Sequence, residues 1–406
     1  MTGFNRIFFS LYMAVFMSSV GLGILSPILP AYVDQFAASS LVLGVIFGAY
    51  PMARTVFMPL VGRLSDRVGW KPFILTGLAL FTLVSPLYAL SRNEIQLFLV
   101  RFFQGIAAAM LLPVAMSVIG KLSPKGKEGF LMGFFSSAFF AGLGFGPLIG
   151  GFLKDTYSIE AAFYGMGFMA LAAFLLALVT LGTGPSEPVP VARKKDLSGP
   201  IPLFRDLPLI GLLVFRFCRA VGIGLVWVIL PLYAIRYLEI SAVRVGILLS
   251  VNTFITTILQ APVGHLADKA GHLRSLTLGS FLAAGAIGSI GWCHSFSRLI
   301  IVSVMLGVAG SLIVPSGSAL AVMLGRERGM GSVMGLFNSS LSFGTMVGPV
   351  VGGALLDFAG IQTVFSAGGL VGLTGWGCLM IMGRREFAPE NRDLCSGGEG
   401  EGTEKP

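Results

Sequence analysis

Charge is scarce in this sequence. Asp, Glu, Lys and Arg make up 12% of it, about half of what a soluble domain carries, which excludes an ordinary water-soluble globule. Cysteine and histidine are scarce too. Cys218, Cys293, Cys378 and Cys395 lie far apart with no C-x-x-C spacing, and His265, His272 and His294 lack ligand spacing. Neither a zinc site nor a redox pair is expected. No nucleophile elbow, metal cluster or phosphate loop is present, so no enzyme activity, metal or cofactor is expected either. The net charge of +9 does not read as nucleic-acid binding, because the basic residues punctuate apolar runs and form no patch.

What fills the sequence is apolar. Hydrophobic residues make up 55% of it, and many runs exceed the roughly 18 residues that can cross a bilayer. Backbone groups in lipid must be satisfied within the segment, so these runs are helices; the alternation of a barrel strand is absent. They fall at 7–32, 40–62, 72–91, 95–120, 130–153, 161–182, 207–235, 242–264, 275–293, 299–324, 331–356 and 361–383. The first is too long for the core of a signal peptide and reads as a retained span. Between the sixth and seventh lies TGPSEPVPVARKKDLSGPIPLFRD, residues 183–206, the long connection rich in Pro, Gly and charge. It divides a bundle at 1–182 from a bundle at 207–385. The tail, 386–406, has the composition of a disordered segment.

Basic residues set orientation. With the N-terminus inside, nineteen of the twenty-eight Lys and Arg face the cytoplasm, five face outward, and four lie within spans. Both termini are therefore expected in the cytoplasm. The connection GRLSDRVGWKP, residues 62–72, falls on that side, and its Arg63, Arg67 and Lys71 help to hold it there.

The chain repeats itself. GHLADKAGHLR begins at Gly264, 202 residues after Gly62, and places Gly264, Asp268, Lys269 and Gly271 on Gly62, Asp66, Arg67 and Gly69. GPLIGG at 146–151 recurs as GPVVGG at 348–353, and Gly105 and Pro113 recur as Gly307 and Pro315, at the same separation. Six spans separate equivalents, so the halves enter the membrane in the same sense. The expected fold class is thus all-α integral membrane, twelve transmembrane helices as two parallel six-helix repeats, with solute at the interface between them.

These motifs resemble the major facilitator superfamily over residues 5–385. Ser65, Asp66, Arg67 and Gly69 fit its loop motif between spans two and three, with Trp70 where a basic residue is usual and Lys71 following. RFFQG, from Arg101, resembles the span-four motif of proton-coupled members. GLGFGPLIGG, from Gly142, and GLGILSPILP, from Gly21, resemble motifs of the twelve-span drug:proton antiporters. The resemblance implies a cytoplasmic latch for the outward-open state, built from Gly62, Asp66, Arg67, Gly69 and Lys71, with a weaker copy in Gly264, Asp268 and Lys269. A carboxylate at a helix N-terminus gains about 0.3–1 kcal/mol, and up to ~2 when partly buried. Gly62 and Gly69 are expected to permit the tight turn. Gly142, Gly146, Pro147, Gly150 and Gly151, with Gly348, Pro349, Gly352 and Gly353, are expected to let helices approach closely.

Four arginines lie within spans: Arg54, Arg101, Arg216 and Arg219. Each costs about 2.5–3.5 kcal/mol at a span centre, so each needs a wet cavity or a partner. Arg101 shares a helix face with Gln104, and Arg216 with Arg219. Asn252, Gln260, Tyr12, Trp227 and Tyr233 are further cavity candidates. All nineteen Asp and Glu lie outside the span centres, so the cavity is expected to be positive or neutral and to favour anionic or neutral amphipathic solutes. Asp34, ending span one, is the acidic candidate for proton coupling. The reading that follows is a secondary transporter: proton-coupled efflux of a small organic solute by alternating access, in a plasma membrane of bacterial type. Two others fit the same sequence, an uptake symporter for an organic anion or sugar acid and a non-transporting membrane sensor. The expected partners are a small-molecule substrate, a proton and the lipid bilayer; nucleic acid is not one, and the protein is expected to be a monomer.

Overall fold

The computed structural model describes residues 3–36, 39–122, 128–181, 206–328 and 330–387. Among them are eleven helices long and apolar enough to cross a membrane, and no strand. The first half contains α1 (Gly3–Asp34), α2 (Ser40–Val68), α3 (Lys71–Leu90), α4 (Glu94–Leu122), α5 (Glu128–Thr156) and α6 (Ile159–Leu181). The second contains α7 (Leu207–Arg236), α8 (Ala242–Ala270), α9 (His272–Ser289), α10 (Phe296–Arg328) and α11 (Met330–Phe387). The last is 58 residues long, far more than the roughly 20 needed to cross a bilayer once. It turns back at Gly360, whose φ of 78° and ψ of 173° favour glycine. Its two arms are the eleventh and twelfth spans. Residues 183–205 of the expected linker and 388–406 of the expected tail lie outside the described residues.

The repeat extends to the helix caps. Ser39 accepts a hydrogen bond from the Val42 backbone N–H at the start of α2, and Ser241 accepts one from the Arg244 N–H at the start of α8. These serines are again 202 residues apart. Each satisfies one of the donors that a helix N-terminus leaves free.

The loop motif is mostly helix. Residues 62–68 are helical, so the connection from α2 to α3 shrinks to Gly69 and Trp70. Gly69, at φ 103°, makes the turn, and its N–H bonds to the Ser65 carbonyl at 3.0 Å. Gly62 sits inside the helix, and a Cβ there would meet nothing within 4 Å. It permits neither a turn nor a close approach in this conformation. The second copy is built alike, with α8 running to Ala270 and the turn at Gly271, φ 97°.

Three apolar clusters show where the halves join. One is confined to the first half and centres on Leu11, Ile74, Ala115 and Ala173. A second is confined to the second half and centres on Leu212, Ile313, Leu320 and Leu379. Both lie toward the end that carries the two loop motifs, called here the motif end. The third unites the halves at the opposite end, bringing Ile28, Leu29 and Tyr32 together with Val226, Ile229 and Tyr233.

The glycine–proline runs carry two different contacts. Gly142, Gly146 and Gly150 abut the α1 backbone at Phe16, Val20 and Ile24, and Gly344 and Gly348 abut α7 at Phe217 and Val221. These contacts stay within a half. Gly151 and Gly353 point across the interface, against the carbonyls of Ala242 and Ser40, where a Cβ would collide with backbone. Gly246 and Gly44 complete the seam against the carbonyls of Pro147 and Pro349. Ser250 adds a hydrogen bond from its Oγ to the Gly144 carbonyl, 2.6 Å.

Two carboxylates close the same end. Asp155, at the end of α5, accepts from the N–H groups of Ala242 (3.2 Å) and Val243 (2.8 Å) at the start of α8. Asp357 accepts from Ser40 and Leu41, both 3.0 Å, at the start of α2. Each carboxylate thus caps a helix of the other half, where free N–H groups and the helix dipole favour negative charge. Hydrogen bonds to charged groups contribute about 1.5–3 kcal/mol each. Replacing both, as Asp155→Ala with Asp357→Ala, should therefore loosen this end. Spin labels at Tyr157→Cys and Tyr237→Cys, in a background without native cysteines, should gain a longer separation in the double variant; an unaltered distance distribution would show that the seam holds without the carboxylates.

Candidate functional site

Between the halves lies a cavity of about 700 Å³, within the range of small-molecule sites. Its wall is drawn from both halves, including α2, α4 and α5 on one side and α7, α8 and α11 on the other. It reaches toward the motif end at Met58, Met116 and Asn338, and the seam described above closes it at the other. Most of the wall is apolar. Trp227, Phe139, Phe140, Leu143 and Met116 are among its side chains, with Ser26, Asn252, Thr256 and Ser342 as scattered polar groups.

Three of the four intramembrane arginines line it: Arg54 on α2, Arg101 on α4 and Arg219 on α7. No Asp, Glu, Lys or His is among the described residues of the wall. The Nε atom of each of these arginines is buried without a hydrogen-bond partner in the protein.

Arg101 is the best-held of them. It is 4% exposed, and its Nη1 donates to Gln104 Oε1 at 3.0 Å. Gln104 is itself fixed, because the Tyr88 hydroxyl donates to the same oxygen at 2.7 Å. The rings of Phe47 and Tyr50 face the guanidinium at 4.8 and 5.4 Å, an arrangement worth about 2 kcal/mol when desolvated. Gly105 makes room for it: a Cβ there would strike the Tyr50 carbonyl, so α2 and α4 pack against each other next to the arginine. This aromatic and amide cage orients the charge without neutralising it.

The other candidates divide. Asn252 and Trp227 line the cavity. Gln104 stands behind Arg101 and is 1% exposed. Besides Gln104, four candidates are not brought to the wall. Arg216 shares a helix face with Arg219 but sits one turn nearer the motif end, where its guanidinium lies against the Phe337 ring at 4.3 Å. Gln260 is also absent from the wall. Tyr12 stacks on Phe134 at 5.3 Å and shares a 3.3 Å hydrogen bond with Ser137. Tyr233 is 2% exposed in the closed end, where its hydroxyl donates to the Cys293 carbonyl. Asp34 is the last residue of α1; its side chain, like that of Asp66, lies outside the described residues. Arg67 and Lys269 are exposed, and Asp268 pairs with His272 of its own half at 3.5 Å.

Reading the sequence missed Phe47, Tyr50 and Tyr88, which carry no polar signal that sets them apart from other span aromatics. Asp155 and Asp357 were set apart from the other acids outside the span centres by nothing in their own surroundings. Their separation of 202 residues, equal to the repeat, was the available sign.

The chain belongs to the Major Facilitator Superfamily, whose sequence profile matches residues 11–215 and 212–394. It is 29% identical over 361 residues to an uncharacterized MFS-type transporter of Methanocaldococcus jannaschii, covering 88% of this chain and 93% of that one. It is 25% identical over 390 residues to Multidrug resistance protein 2 of Bacillus subtilis, covering 93% and 95%. Among solved structures, the nucleoside transporter NupG shares the fold, with a TM-score of 0.75 at 15% identity over 93% of this chain and 99% of that one. The protein is a multi-pass membrane transporter and not an enzyme.

The geometry separates the arginines. Because charged hydrogen bonds are worth about 1.5–3 kcal/mol, Arg101→Ala should lower transport at least about tenfold with the protein still present in the membrane. Arg216→Gln, outside the cavity, should leave it within about twofold. Solute flux normalised to protein amount checks both, and equal losses at the two positions would contradict the assignment.

Proposed function

We propose that this member of the Major Facilitator Superfamily is a secondary active exporter of small organic solutes, driven by inward movement of protons. The observation that carries this reading is the cavity between the halves, which reaches toward the motif end and is closed at the other by the paired carboxylate caps. In a repeat built for rocking, that is the conformation that loads from one side of the membrane. The basic-residue bias puts the motif end in the cytoplasm of a bacterial-type cell, with both termini there, so loading occurs from inside. Multidrug resistance protein 2, similar along almost the whole chain, supports export over uptake. A monomer suffices, since both walls of the cavity come from one chain.

The two ends act in turn. In the described conformation the Asp155 and Asp357 caps hold one end shut. Opening it must be offset by contacts made only in the alternate state. Asp66 and Arg67, with Asp268 and Lys269 as the weaker pair, are proposed to supply them when the motif end closes. Asp34 is the proposed proton site, since no acid among the described residues lines the cavity.

Proteoliposomes with an imposed pH gradient test the direction, using 1-naphthalenesulfonate and (1-naphthyl)trimethylammonium as probes. A probe should move against the proton flow; movement with it would favour the symporter, and no flux of any solute would favour the sensor. For the latch, Asp66→Asn should slow turnover while leaving solute affinity within about twofold, because a contact absent from the loading state contributes nothing to binding there. Unaltered turnover would remove Asp66 from the cycle.

A further inference from the structure

We propose that the solute is an amphipathic organic anion, its acidic group gripped between the arginines of the two halves and its apolar body laid along the Trp227, Phe139 and Met116 wall. This rests on the transporter reading and names its substrate class.

Charge balance carries the inference. Arg54 and Arg101 approach from the first half and Arg219 from the second. Among the described residues, none of the three is paired with an acid, and no Asp or Glu lines the cavity. Arg101 is more than nine-tenths buried, yet its Nε has no partner in the protein. Among the described residues, its one side-chain acceptor is Gln104, which carries no charge. Guanidinium groups left in this condition repel one another, more strongly in a cleft with apolar walls than in bulk water. A cation entering the cavity adds to that repulsion, and a neutral solute leaves it unrelieved. An anion removes it and offers oxygens to the planar N–H forks, which match carboxylate, sulfonate and phosphate.

The shape of the wall narrows the class further. Small inorganic anions would fill little of about 700 Å³. The apolar side chains that share the wall with the arginines favour a solute with a hydrocarbon or aromatic body. Placement of the arginines on both halves also gives the anion a part in the cycle: it bridges the surfaces that must move relative to each other, so the motif end can close over a neutralised site. The shared chemistry is an amphipathic anion, whether a soluble metabolite or a lipid bearing an acidic headgroup.

The test uses purified full-length protein in nanodiscs of zwitterionic lipid, with 1-naphthalenesulfonate and (1-naphthyl)trimethylammonium as a matched pair. The sulfonate should bind at least about tenfold more tightly, since one lost or repelled charged contact amounts to a factor of that order. The preference should collapse in Arg54→Gln and Arg219→Gln and persist in Arg219→Lys. Where a substitution prevents folding, photolabelling of the wild type with an azido-naphthalenesulfonate should mark α2, α4 or α7. Equal or tighter binding of the cation, a preference that survives loss of both charges, or a label placed elsewhere would overturn the proposal. Phosphatidylglycerol added to the discs should compete with the sulfonate if the natural anion is a lipid, and leave it undisturbed if it is soluble. Sulfonate-selective binding without flux would sink the transport reading and keep the anion site. Flux of the cation with no sulfonate binding would do the reverse.

Discussion

A charge within the bilayer persists only where water, a partner or an aromatic face compensates for the lost hydration. That constraint shapes this protein throughout. It drives the acids to the ends of the helices, where Asp155 and Asp357 meet free backbone N–H groups. It leaves arginine as the charge within the spans, because a guanidinium is weakly hydrated and can lie against rings. Arg101 lies against Phe47 and Tyr50, and Arg216 lies against Phe337. The remaining need for hydration is met by the cavity, which exists because the two bundles touch at one end and diverge at the other.

The closed end combines two kinds of contact with different roles. Glycines facing carbonyls let α2 approach α11, and α5 approach α8, closely enough for backbone to meet backbone. Such packing is strong while complete and is lost quickly on separation, since dispersion falls off within an ångström or so. The carboxylate caps add directed hydrogen bonds at the rim. Both occur twice, related by the internal repeat, so opening must break two equivalent seams together. This suits a rigid-body rocking motion better than the peeling of one helix. Contacts within each half, such as Gly146 on α1 and Gly348 on α7, are untouched by such a motion.

Much of the fold was legible in the residues. Span positions followed from runs that cannot leave lipid, and the twofold arrangement followed from echoes at a constant separation. The loop motif was less legible. Arg63, Asp66 and Arg67 suggested an extended connection, but α2 carries helical backbone through Val68 and leaves only Gly69 and Trp70 to turn. Nothing in a charged stretch forbids a helix from projecting beyond the hydrocarbon layer, and here the turn is set by the positive φ of Gly69. The candidate site was half legible. Arg54, Arg101 and Arg219 stood out as expensive residues, while the partners that hold Arg101 were ordinary tyrosine, phenylalanine and glutamine.

By itself the sequence determined membrane insertion, the number of spans, the repeat and the absence of acids from the span centres. Each of these depends on one residue type and its distance from a bilayer surface, and distance along a helix is fixed by sequence position. Which arginines share a space, and which end of the pair of bundles is shut, were decided only by the tertiary structure. Arg216 and Arg219 are one helical turn apart, yet one packs against Phe337 and the other reaches the cavity. That outcome depends on how α7 is rotated against its neighbours, and rotation is set by the sum of many small contacts that no single residue reveals.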